Sequence, residues 1–116
     1  MINELAKEVH QNARNKGFFD DEKNIGEMLA LIHSEVSEAL ECDRKGRYCM
    51  VSPTGVEIMD KEDFEIHVKD TFEDELADVM IRVMDLAAFK GVDLEAHIKA
   101  KMKYNALRER KHGKKY

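Results

Sequence analysis

Two pairs of acids, each three residues apart, are the strongest chemical feature of this sequence: Glu35 with Glu38, and Glu75 with Asp78. An α-helix turns about 100° per residue, so such a pair shares one face. The spacing alone is a weak signal. Seven acid pairs have it, the others being Glu38/Glu41, Glu57/Asp60, Asp60/Asp63, Glu62/Glu65 and Asp70/Glu73. Position on the helix is the sharper test. Glu35 falls within the edge of an apolar stripe made by Ile25, Met28, Leu29, Ile32, Val36 and Ala39, and Glu38 lies just beyond it. Glu75 and Asp78 border a second stripe, Phe72, Leu76, Val79, Val83 and Leu86, and Arg82 and Asp85 continue that border. Carboxylates held together at the rims of two core faces repel each other and lose hydration. A divalent cation removes both costs, and oxygen-only ligands select Mg²⁺ or Mn²⁺. The plain alternative is a rim of salt bridges, with Arg82 four residues after Asp78. A di-iron carboxylate site would need inward Glu-x-x-His pairs, and Glu109/His112 alone has that spacing.

A second group of residues suits an anion. Leu94 and Ile98 are followed at helical spacing by Lys101, Asn105 and Arg108, so polar and cationic groups continue an apolar face. Cations aimed at a carboxylate–metal cluster make sense with a polyphosphate between them. A solvated basic helix end explains residues 110–115 as well. No glycine-rich phosphate loop and no nucleophilic triad are present.

The elements that carry these residues are helices. The first is expected over Ile2–Asn15, ended by Gly17. The second runs from an Asn24 cap to about Arg44, closed by Gly46. The third starts at a Thr71 cap and ends near Lys90-Gly91, apolar enough to be buried on most sides. The fourth starts at Asp93 and runs to about Arg110. Between the second and third, Tyr48–Val51 and Val56–Met59 flank Ser52-Pro53-Thr54-Gly55, which reads as a small β-hairpin near 47–60. The class is all-α, a four-helix bundle type with one irregular insertion.

The chain has 116 residues, enough for a single domain over 1–116 and a modest core, so oligomerisation is expected. A net charge of −5 argues against a nucleic-acid platform, although acids crowd residues 57–78 and bases residues 99–115. Cys42 and Cys49 are too few for a disulfide framework. No signal-peptide pattern opens the sequence, and Asp78, Arg82 and Asp85 break its longest apolar stretch. A cytoplasmic protein, away from membranes, is the expectation.

The pattern Glu35-Val36-Ser37-Glu38 followed by Glu75-Leu76-Ala77-Asp78 resembles the MazG-like nucleotide pyrophosphohydrolases of the all-α NTP pyrophosphatase superfamily. Leu31–Leu40 resembles that family's first metal helix, and Asp74–Ala87 its second. Lys103-Tyr104-Asn105-x-x-Arg108, then Lys111-His112-Gly113-Lys114-Lys115, is similar to the C-terminal end of its short members. The segment between Glu38 and Glu75 is longer than compact members usually show. The resemblance implies Mg²⁺-dependent hydrolysis of a nucleoside triphosphate, NTP or dNTP, to monophosphate and pyrophosphate by a homodimer or homotetramer. It implies metal ligation by Glu35, Glu38, Glu75 and Asp78. Lys101, Asn105 and Arg108 match positions near the phosphates, and Arg82 joins them as a substrate-binding candidate. Glu38 is the first choice of general base and Glu35 the second. The alternative is a non-catalytic helical module that senses nucleotide or binds a partner.

Overall fold

Capping residues decide where the helices of the computed structural model begin, which describes residues 1–115 and, of His112, the backbone only. The helices are α1 (Ile2–Asn15), α2 (Ile25–Arg44), α3 (Pro53–Val56), α4 (Lys61–His67), α5 (Phe72–Phe89) and α6 (Leu94–Ala106), with a short 3₁₀ turn at Arg110–Gly113. Asn24 accepts from the Glu27 amide at 3.2 Å, Thr71 Oγ1 from the Asp74 amide at 3.3 Å, and Asp93 from the Ala96 amide at 3.0 Å. Each bond satisfies an amide that the helix itself leaves free. After α2, Gly46 takes φ 67°, where other residues are strained, and the Arg47 amide returns to the Cys42 carbonyl at 2.8 Å.

The class is all-α, and the described residues contain no strand. The β-hairpin expected near 47–60 is therefore corrected. Pro53 opens the one-turn α3 instead of a hairpin turn. Its fixed φ suits a first helical position, where no amide donor is needed. The Ser52 carbonyl accepts from Gly55 at 2.9 Å and from Val56 at 3.2 Å. Asp60 then caps α4, accepting from the Asp63 amide at 2.8 Å. A further correction concerns α6, which stops at Ala106, short of Arg110, with Leu107 closing it onto the Asn105 and Tyr104 carbonyls.

The chain forms two compact units, Phe19–Val83 and Met1–Phe18 with the chain from Met84 onward. Within the first, the insertion leaves and returns at nearly the same point. The Phe72 amide donates to the Arg47 carbonyl at 2.8 Å, and the Cys49 amide to Glu73 Oε1 at 2.8 Å. The rings of Tyr48 and Phe72 lie 5.1 Å apart, and Cys42 Sγ donates to the Asp70 carbonyl. The end of α2 is thereby pinned to the start of α5. Within the second unit, α1 meets α6: Asn3 donates to Asp93 at 2.6 Å and accepts from the Glu95 amide at 3.1 Å. There Arg14 Nε donates to His10 Nε2, leaving the Nδ1 proton for Asp85 Oδ1 at 2.8 Å.

Candidate metal centre

Because α2 ends where α5 begins, the two helices run back along each other and bring their acids together. Among the described residues, Glu35 and Glu75 are the buried charged ones, at 8% and 5% exposure. With Asp78 they form a group in which one carboxylate oxygen of each lies within 4.8 Å of the others. Glu38, one turn after Glu35, is exposed, yet its carboxyl lies close enough to Glu35 and Glu75 to shift the titration of both. Arg82, one turn after Asp78, does not close the local pair that its spacing allows. Its Nε reaches across to Glu35 Oε1 at 2.8 Å.

The electrostatics separate the acids. Burial pushes the Glu35 carboxyl up, but the hydrogen bond from Arg82 and contacts with Glu38 and Glu75 outweigh it, so the group is held below its usual range. At Glu75 every influence points the same way. Burial, the closeness of the Glu38 and Glu35 carboxyls, and the charges of Glu38 and Asp78 push it up to about 8. Asp78 is raised to about 6 by burial and by the charges of Asp74, Glu35 and Glu38, against the pull of Arg82.

Two oxygens test whether a cation fits. Glu35 Oε2 and Glu75 Oε2 are both buried with no hydrogen-bond partner. A buried carboxylate oxygen left unpaired is costly and rare. Here two of them share a site whose donors are all carboxylates. A hard divalent cation meets that donor set, whereas Arg82 satisfies one oxygen of one acid.

The other candidates lie in the second unit. The Lys101 ammonium sits 5.0 Å from the centre of the Tyr104 ring and the Arg108 guanidinium 5.5 Å from it. Lys101 is exposed, and Asn105 is half-buried with Oδ1 unpartnered. Asp85, which continued the acidic border of α5 in the sequence, is committed to His10. Sequence spacing did not single out Asp70 and Asp74, whose carboxylates form a second close group with Glu75. Their signal is the run of acids over Asp70–Asp78 around a helix start, which follows a left-handed turn at Asp70. No family model, curated protein or solved structure matches the chain.

Proposed function

We propose that this protein is a Mg²⁺-dependent nucleoside triphosphate pyrophosphohydrolase, able to use Mn²⁺, that converts an NTP or dNTP to the monophosphate and pyrophosphate. The observation that carries this reading is the cluster of Glu35, Glu75 and Asp78, with Glu38 beside it and two buried oxygens without a hydrogen-bond partner. Those four acids stand in the order and spacing that resemble MazG-like enzymes. The same resemblance supplies the finer architecture: the four long helices as a bundle of that type, one functional domain over 1–116, in a cytoplasmic homodimer or homotetramer.

Glu35, Glu75 and Asp78, with Glu38, would hold the metal ion. Bound Mg²⁺ neutralises charge on phosphate oxygens and favours attack at phosphorus. The protein's own groups divide the remaining work. Glu38 is exposed and beside the buried acids, so it can meet water and accept its proton as general base. Glu35 ranks second, because Arg82 already occupies its Oε1. Arg82 fixes the Glu35 carboxylate and offers its remaining N–H groups to a phosphate oxygen. The resemblance implies Lys101, Asn105 and Arg108 as further candidates for contact with the phosphates.

A panel of canonical and modified NTPs and dNTPs with Mg²⁺ or Mn²⁺, scored for pyrophosphate release, tests the reading. Release from at least one nucleotide is expected. Glu38→Gln and Asp78→Asn should each lower turnover by about 10²-fold or more, with helical content unchanged. Nucleotide binding by calorimetry without any product would instead favour the sensing or partner-binding module.

A further inference from the structure

We propose that Asp70, Asp74 and Glu75 form a second divalent-cation site, with Glu75 the carboxylate common to both sites. It builds on the first cation site, not on the hydrolase chemistry. One carboxylate oxygen from each of the three residues lies within 4.8 Å of the others. The independent sign of a ligand is Glu75 itself. Its side chain is 5% exposed, makes no hydrogen bond that satisfies Oε2, and belongs to both acid groups. A carboxylate with one oxygen toward each of two cations is the usual bridge of two-metal sites.

The local backbone presets the group. Asp70 sits at φ 63°, a region that aspartate tolerates better than most residues. Cys42 Sγ donates to its carbonyl at 3.3 Å, and its amide donates to Asp74 Oδ2 at 3.0 Å. Asp74 keeps Oδ1 for a ligand.

Charge asks for the second ion as well. Glu35, Glu38, Asp70, Asp74, Glu75 and Asp78 gather six carboxylates. Arg82 makes an ion pair to Glu35. With one dication, these six carboxylates and Arg82 still sum to a negative charge. A second dication brings that sum close to balance. Carboxylate-only donors again select Mg²⁺ or Mn²⁺.

Mn²⁺ binding to the full chain, without nucleotide, tests this by equilibrium dialysis and electron paramagnetic resonance. Wild type should bind two ions, with the spin–spin coupling of a carboxylate-bridged pair. Asp70→Asn and Asp74→Asn should each bind one, and Glu75→Gln should weaken both sites by about tenfold or more. Asparagine keeps the size, the acceptor oxygen and the tolerance of positive φ, and circular dichroism checks the fold. One ion in wild type, two without coupling, or two retained by Asp70→Asn or Asp74→Asn would overturn the proposal. Two coupled ions in a protein that hydrolyses nothing would sink the hydrolase reading and leave this one standing.

Discussion

Glu75 and Asp78 make the cation-free protein sensitive to pH in a direction that can be worked out. Their ordinary values are 4.5 and 3.8, and in the fold they rise to about 8 and about 6, first through burial and then through neighbouring acids. The folded state therefore holds protons that the unfolded chain releases. The stability this contributes is fully present below pH 4, and is lost as pH rises through about 6 and then about 8. In chelator, the melting temperature should fall between pH 5 and pH 9 by more in wild type than in Glu75→Gln, which carries no charge to repel. Mg²⁺ should reverse the trend, because it binds the ionised acids, so its stabilisation should be larger at pH 8.5 than at pH 5.5. Thermal scans at both pH values, with and without Mg²⁺, check this. An equal Mg²⁺ gain at the two pH values would remove Glu75 and Asp78 from the cation site. At residue scale, the sequence exposed these acids through their helical phase. That phase already set Glu35 inside the apolar edge and Glu38 beyond it, but it could not show how deeply Glu75 is buried or that Arg82 serves Glu35, because those facts depend on how two distant segments meet.

Helix starts were legible because a cap is a local event. Asn24, Thr71 and Asp93 all accept the amide three residues on, as their positions in the sequence predicted. The insertion was not legible for the same reason. Ser52-Pro53-Thr54-Gly55 has the local signature of a turn, and a one-turn helix uses the same residues. What separates the two is non-local: the Phe72 amide on the Arg47 carbonyl and the Cys49 amide on Glu73. Asp60-x-x-Asp63 is the same local cap pattern, and it starts α4 in a stretch to which we assign no element from the sequence alone. Thr71 matters most to the site, since it starts the helix that carries Asp74, Glu75 and Asp78. Its Oγ1 donates to the Val68 carbonyl at 2.7 Å and accepts from the Asp74 amide. Thr71→Ala should cost about 1–2 kcal/mol in urea unfolding, and Thr71→Ser should recover most of it. Mn²⁺ affinity should follow the same order. Equal unfolding midpoints for the two variants would show that the hydroxyl does not hold this helix start.

On the scale of the whole molecule, the hydrophobic pattern exceeds what one chain buries. The buried apolar residues are mostly small: Ala6, Ala39, Cys42, Val68, Met84 and Ala87. On α2 the buried face is Glu35, Ala39 and Cys42, while Leu29, Val36 and Leu40 form a stripe about 100–140° around the helix. Those three are about half exposed, as are Leu76, Met80 and Ile81 on α5. The sequence led us to expect α5 buried on most sides, and in a single chain it is not. An apolar stripe on the same helices that carry the acids is the kind of surface that another protein copy covers. The proposed homodimer or homotetramer would account for the mismatch between the sequence pattern and the burial. Light scattering at micromolar concentration should give twice or four times the chain mass. Leu40→Glu and Met80→Glu should shift it to the single-chain mass, since a charge buried without a partner disfavours the interface. Neither substitution touches a carboxylate of the cluster. Mn²⁺ binding should therefore persist in the dissociated variants if each chain completes its own cation site. A wild-type mass of one chain would leave the exposed stripes to a different partner and would sink the homo-oligomer.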